Sequence, residues 1–350
     1  MMLRRVLVAS ACLSLVAGCS LSGGSGSSAS GGGDHVVTLV THDSFVAKQE
    51  TLDAFKTATG ITVKPLASGD AGALTNKLVL TKSNPIGDIA FGVDSTFASR
   101  ALAEGVFAEY KSPEADKGAQ RYQVDGGTRL HAVDVGDVCL NVDVAGLAAK
   151  GVPEPKTYDD LVDPKYKDML VVEDPATSSP GLAFLLGTIG KYGPTGWGEY
   201  WTKLKANGVK VVSGWEEAYN QDFSGSAGKG PRPVVVSYAS SPSAEIGDDG
   251  VPRTKAVLDT CYRQVEYAGV LTGAKNAEDA KKVLDFLLSE QFQADVPEQM
   301  YVYPSREGVK LPEAWTKAAP LPASSQALPA DQVSANREQW VQQWRALVVG

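Results

Sequence analysis

Two extended runs far apart in the chain, Val133 to Val142 (VDVGDVCLNV) and Thr260 to Ala268 (TCYRQVEYA), restrict the fold more than any other feature. Neither has helical periodicity. Between them lies a segment with strands and helices of its own, and further strands and helices stand on either side. Two αβ lobes joined by two extended hinge strands show this layout. The reading places residues 35–135 and 267–350 in the first lobe and residues 136–266 in the second. Both ends of the folded body then belong to the first lobe, with hinges near residues 134–140 and 262–268.

The remaining pattern is α/β. His35 to Thr41 (HVVTLVT) reads as a buried first strand. Lys48 to Thr59 has helical periodicity, with Leu52 and Phe55 on one face and Gly60 as the stop. Ile61 to Leu66 is a second strand, and Asp70 can cap a helix from Ala71 to Thr81. Ile86 to Val93 is a third strand, followed by a helix to Glu104 that Asp94 or Ser95 caps. In the central block, residues 169–172, 209–213 and 234–238 read as strands and Pro180 to Lys191 as an apolar helix. Ala277 to Glu290 and Ala335 to Leu347 are amphipathic helices. Strands alternating with helices imply a parallel or mixed sheet with helices on both faces.

The N-terminus has the layout of a cleaved export signal. Arg4 and Arg5 precede an apolar stretch, Val6 to Ala17, that is too short to span a bilayer, and Val16-Ala17-Gly18-Cys19 ends it. Residues 1–18 are expected to be a lipoprotein signal peptide, with Cys19 as the lipidated first residue of the mature chain. Residues 19–34 are almost wholly Ser, Gly and Ala and form a flexible tether. The expected location is extracytoplasmic, lipid-anchored to the cell membrane. Removing Arg4 and Arg5 makes the body two units more acidic than the formal −8 of the whole chain. An acidic body argues against nucleic acid or anionic lipid as partner. Cys139 and Cys261 are an even pair in an exported protein, so a disulfide is expected, with two buried thiols as the alternative. The three histidines, His35, His42 and His131, have no metal-ligand spacing, so no metal is expected.

Several segments carry a resemblance. Asp53-Ala54-Phe55 with Thr59-Gly60-Ile61-Thr62-Val63 is similar to the opening of many ABC-transporter solute-binding proteins, and Val283 to Ser289 resembles their late helix. Three further stretches narrow the match: Thr41-His42-Asp43-Ser44-Phe45, Glu173 to Leu182, and Gly214 to Tyr219 with Ser237 to Pro242. As a set they resemble the thiamine-binding periplasmic protein family, from about residue 36 onward. The resemblance implies a bilobed periplasmic-binding-protein fold. Its lobes would close on thiamine or a thiamine phosphate and present it to an ABC permease with its ATPase. Asp70 matches a ligand-contacting carboxylate of that family, Ser178 a contact near the phosphate or hydroxyl end, and Trp215 and Tyr238 aromatic contacts. Three positions depart from the pattern: His42 stands where the family has Tyr, Tyr301 where it has Trp, and Ala244 where it can have Tyr. The preferred phosphorylation state is left open by these changes.

The residues fit such a ligand. Thiamine has a permanently cationic thiazolium, a flat aminopyrimidine and a hydroxyethyl arm. Aromatic faces attract a cation by roughly 0.5–2 kcal/mol each. Trp215, Tyr219, Tyr238 and Tyr301 are the candidates; Trp215 and Tyr219 share a helix face, and core packing is the alternative role, most of all for Tyr219. Ser179 as N-cap with Pro180 as first helical residue would aim backbone N–H groups at a phosphate or hydroxyl. Ser240-Ser241-Pro242 repeats that arrangement. Of Asp43, Asp70 and Asp94, some are expected to be caps only, and Asp70 is the first choice for the cation. A polyamine receptor would use similar residues. A thiamine-modifying enzyme would need a nucleophile, for which Cys139 is the only thiol near the cleft. With no nucleophile elbow and no phosphate-loop spacing in the body, the expectation is a monomeric binding protein without catalysis or cofactor.

Overall fold

In chain order the elements are β1 (Val36–Thr41), α1 (Gln49–Thr59), β2 (Thr62–Ala67), α2 (Ala71–Leu80), β3 (Ile89–Asp94), α3 (Ala98–Ala103), β4 (His131–Asp143), α4 (Val144–Ala149), β5 (Leu170–Glu173), α5 (Ser179–Ala206), β6 (Lys210–Val212), α6 (Trp215–Glu217), β7 (Val234–Tyr238), β8 (Thr254–Val270), α7 (Ala277–Leu287), α8 (Glu290–Gln299), β9 (Tyr303–Pro304), α9 (Trp315–Ala318) and α10 (Ala330–Val348). The structure is a computed structural model that describes residues 35–350. The expected signal peptide, Cys19 and the whole of the tether lie outside the described residues.

The strands join in one sheet ordered β2-β1-β3-β8-β4-β7-β5-β6, with β9 paired to β4. β2, β1 and β3 run parallel, as do β7, β5 and β6. Between these two parallel sets stand β4 and β8, antiparallel to each other and to their neighbours. They contain the two extended runs that the sequence singles out. The inner strands are near-continuous apolar runs because helices cover both faces; every residue of β3 is buried. β2 lies at the edge, where Lys64 and Pro65 are exposed and a missing donor is tolerated. The register between β4 and β8 shifts between Ala132 and Asp134 and again between Val138 and Leu140. The second shift is where Cys139 is bonded to Cys261, with Cα atoms 4.2 Å apart. Nearby, Asp137 receives a 2.6 Å hydrogen bond from Arg263 Nε and another from the hydroxyl of Ser325, tying the 320s segment to the same strand pair.

Several elements differ from the sequence reading, which does not include α4, β9 or α9. The apolar helix over 180–191 is only the first half of α5, which resumes after Gly193 (φ 73°, ψ 175°) and Pro194. A Gly-Pro step reads as a terminus, but Pro194 sits in the first turn of the resumed helix, where its missing N–H costs nothing. The helix expected to run to Glu290 ends at Leu287, and a separate helix, α8, starts at Glu290 with Ser289 as its cap. Asp94 is not the N-cap of α3; that residue is Phe97, and the Asp94 carboxylate instead holds the turn before it. The C-terminal helix α10 leans on two neighbours. Trp344 meets Trp201 of α5 edge-on at 5.2 Å, and the Arg337 guanidinium lies 5.3 Å from the Phe97 ring. Among the described residues no helix is long and apolar enough to cross a membrane.

Candidate functional site

The carboxyl ends of both parallel strand sets converge on one cavity of about 280 Å³. Ligands of α/β sheets bind at such ends. His42 follows β1, Asp70 follows β2, Trp215 follows β6 and Tyr238 ends β7, and all four line the cavity. Tyr219 and Tyr301 line it as well.

Asp70 joins the two strand sets. Its Oδ1 caps α2 by accepting the Ala71 N–H at 2.6 Å and lies 3.4 Å from the Ser179 N–H. Its Oδ2 accepts the Trp215 N–H at 2.9 Å. The Trp215 ring stacks on Tyr219 with centroids 4.9 Å apart and planes 14° apart, and its Nε1 donates to Ser237 Oγ at 2.8 Å. Tyr219 therefore packs and lines the cavity at once; its hydroxyl reaches Glu245 Oε1 at 3.3 Å. Tyr238 lies over Gly136 of β4, where a Cβ would come within 2.6 Å of the ring. Only glycine lets the ring lie that close to the strand. Tyr301 is the most exposed of the aromatics at 39%, adopts a left-handed φ of 55°, and its carbonyl accepts a hydrogen bond from Ser240.

Three predicted residues stand behind the wall rather than in it. Ser178 is the N-cap of α5, Ser179 its first residue and Pro180 its second, so the helix starts one residue earlier than the sequence reading had it. Ser178 Oγ receives the Gly181 N–H at 3.5 Å, and Ser179 Oγ donates to Asp94 Oδ2 at 2.5 Å. Pro180, not either serine, reaches the cavity. Asp94 is fully buried; burial pushes its pKa up to about 6, against the hydrogen bonds from Ser179 and Thr96 that favour the ionised form.

The sequence reading missed Glu266, Glu245 and Glu216, all of which line the cavity. Glu266 was visible as an acid inside an apolar extended run, which a central strand does not place there without reason. In the sheet, Glu266 of β8 is the direct cross-strand partner of Asp94 on β3 and of Asp134 on β4. Three acids therefore stand side by side beneath the cavity. Burial and the charge of Glu266 hold the Asp134 carboxyl well above its usual range, and neither of its oxygens has a hydrogen-bond partner among the described residues. Glu266 is itself raised by burial, with the nearby His42 pulling the other way. His42 is 8% exposed; its Nε2 lies 3.7 Å from Glu266 Oε2 and has no hydrogen-bond partner. Among the described residues no Lys or Arg lines the cavity. The site is an aromatic-walled, acid-rich chamber, suited to a flat cation.

Residues 84–336 match the bacterial extracellular solute-binding proteins. The chain is 31% identical over 322 residues to the "Thiamine-binding periplasmic protein" of Brucella suis biovar 1, covering 89% of this chain and 91% of that one. It is 30% identical to the protein of the same name from Escherichia coli (strain K12), covering 93% of that chain. Among solved structures, one titled "Periplasmic thiamin binding protein" superposes with a TM-score of 0.79 at 29% identity, covering 89% of this chain and 96% of that one.

Proposed function

Since the chain belongs to the bacterial extracellular solute-binding proteins, in the family of the thiamine-binding periplasmic proteins, we propose that its cavity captures thiamine for an ABC importer. The observation that carries this reading is the pairing of the Trp215–Tyr219 stacked face with the Asp70 and Glu266 carboxylates in a chamber that no Lys or Arg among the described residues lines. A fixed cation gains from the π faces and needs the acids; its arm can meet hydroxyls such as Ser44. The site residues in this reading are His42, Asp70, Trp215, Tyr219, Tyr238 and Tyr301 as contacts, with Ser178, Ser179 and Asp94 setting the wall behind them. The protein acts as a receptor and not as an enzyme, and uses no cofactor. In the same reading it is a monomer held outside the cell membrane by a lipid on Cys19, and it delivers its cargo to a permease and ATPase.

Residues 35–135 with 267–350 and residues 136–266 would form the two lobes, swinging about β4 and β8. The bonds of Asp70 to Trp215 and Ser179, and of Ala73 N–H to the Thr177 carbonyl at 3.1 Å, bridge the proposed lobes and belong to the closed form. Gly72 marks how tight that closure is: a Cβ there would sit 2.7 Å from the Thr177 carbonyl carbon and 2.8 Å from the Ala176 oxygen. Gly72→Ala is expected to weaken ligand binding about tenfold by propping the lobes apart. The same Cβ would come 2.8 Å from Phe97 Cζ within its own lobe, so the unfolding temperature without ligand is the control that separates lost packing there from lost closure. Unchanged affinity would show that this contact is not part of closure.

Titration calorimetry of the purified protein is expected to give one thiamine per chain, with quenching of Trp fluorescence and no consumption of the vitamin. Spermidine serves as the competing cation. Tight spermidine binding with none for thiamine would replace the vitamin by a polyamine.

A further inference from the structure

The stretch Ser237-Tyr238-Ala239-Ser240-Ser241 ends β7 and turns away from the sheet. Its three serines are buried, and of them only Ser241 lines the cavity. This short stretch fastens the whole aromatic wall. Tyr238 belongs to it. Ser237 Oγ receives the Trp215 indole N–H at 2.8 Å. The Ser240 hydroxyl donates to the Tyr301 carbonyl at 2.6 Å, and the Tyr219 hydroxyl lies 3.4 Å from the Ser241 carbonyl oxygen. Of these rings Trp215 depends most on its fastening. Its face is stacked on Tyr219, and the Nε1–H bond to Ser237 is what stops the indole from turning about that stack.

The hydroxyl oxygens of Ser237 and Ser241 are 2.7 Å apart, so one donates to the other. The supply of hydrogens fixes which. A serine hydroxyl has one hydrogen to give and two lone pairs to receive with. Ser237 Oγ already accepts from Trp215, and Ser241 Oγ accepts the Tyr238 N–H at 3.1 Å. If Ser241 donated to Ser237, the Ser237 hydrogen would have no acceptor among the described residues, in a side chain with no exposed surface. With Ser237 as the donor, both of its neighbours are served. The one hydrogen then left over is on Ser241, at the cavity. The chain therefore runs from Trp215 Nε1–H to Ser237 to Ser241 and ends at the chamber, with each bond polarising the next.

Resting on the thiamine reading, we propose that Ser237 is a positioning residue for ligand binding. It lies outside the cavity lining and acts through its neighbours, holding the Trp215 ring in its plane and orienting the Ser241 hydroxyl. A wall fixed before the ligand arrives loses less freedom on binding. Ser237→Ala takes the hydroxyl from both neighbours, and Ser237→Thr keeps it in a β-branched residue suited to a strand. The test pairs titration calorimetry against thiamine with the indole N–H signals of the ligand-free protein in a proton–nitrogen NMR spectrum. The chain has six tryptophans, and Trp215→Phe identifies the signal of Trp215. Two others serve as references: Trp201 Nε1 donates to Thr188 Oγ1 at 2.9 Å, and Trp344 Nε1 has no partner among the described residues. Ser237→Ala is expected to move the Trp215 signal to higher field, leave the references in place and weaken thiamine about three- to tenfold. Ser237→Thr should restore both. A Trp215 signal that Ser237→Ala leaves in place overturns the proposal, and so does a moved signal with unchanged affinity; either result leaves the thiamine reading standing. Movement of the reference signals with a lower unfolding temperature, or a Ser237→Thr variant as weak as Ser237→Ala, would make Ser237 a packing residue and overturn it as well. If the unaltered protein binds no thiamine, the thiamine reading fails and the positioning role with it.

Discussion

Asp70→Asn is expected to lower thiamine affinity ten- to a hundredfold at neutral pH. The carboxylate accepts the Ala71 and Trp215 N–H groups at 2.6 and 2.9 Å, and lies near a third from Ser179. Asn has one acceptor oxygen where Asp has two, so it can keep the cap or the Trp215 contact in full but not both. It also removes the fixed charge that a thiazolium would face. A hydrogen bond to a charged group contributes ~1.5–3 kcal/mol, and each 1.4 kcal/mol is tenfold in affinity. The substitution is a clean one, because Asn caps a helix about as well as Asp, so α2 should keep its stability. Calorimetry against thiamine, with unfolding temperature as the control, separates the two. Affinity within threefold of the unaltered protein would take Asp70 out of the binding contacts.

The fold was legible because its strongest signals are local. Buried parallel strands read as apolar runs, and Asp70 and Gly60 bound helices as their chemistry demands. Misreadings fell where a local stop signal is overridden by packing. Gly193-Pro194 interrupts α5 without ending it, because Trp197, Tyr200 and Trp201 continue the buried face beyond. Much the same holds for the site. His42, Asp70, Trp215 and Tyr238 follow or end strands, so sequence order placed them on one rim of the sheet. Glu266 could not be placed that way. It owes its position to the register of β8 against both β3 and β4, which no short window of sequence contains. The Ser178–Ser179 turn was found as an N-terminus, but whether its donors are free depends on Asp94 and Asp70, far away in the chain.

That register makes the site unstable by design, and Glu266→Gln should expose it. Asp94, Glu266 and Asp134 all have carboxyl pKa values raised in the folded chain, each with burial as the first cause. A group raised in this way binds more protons folded than unfolded. Its stabilising effect is present in acid and is lost as pH rises from the ordinary carboxylate value near 4 through the raised one. For Asp94, raised from 3.8 to about 6, the loss is on the order of 3 kcal/mol once pH has passed that value. As far as these groups act, the protein without ligand should unfold at a higher temperature at pH 5 than at pH 8. The titratable groups facing Glu266 are His42, Asp134, Asp94 and Asp70; His42 alone among them is basic, and its Nε2 is not in hydrogen-bond contact. Glu266→Gln removes the central charge of the row. It should raise the unfolding temperature at pH 8 by about 2–5 °C, with a smaller change at pH 5. It should also cost about tenfold in thiamine affinity, since a bound cation is what compensates the buried acids. Saturating thiamine should stabilise the unaltered protein more at pH 8 than at pH 5, and this difference should shrink in the variant. A lower unfolding temperature for Glu266→Gln at pH 8 would mean that the carboxylate is already balanced by His42. The acid row would then be a structural feature and not a charge held ready for a cation.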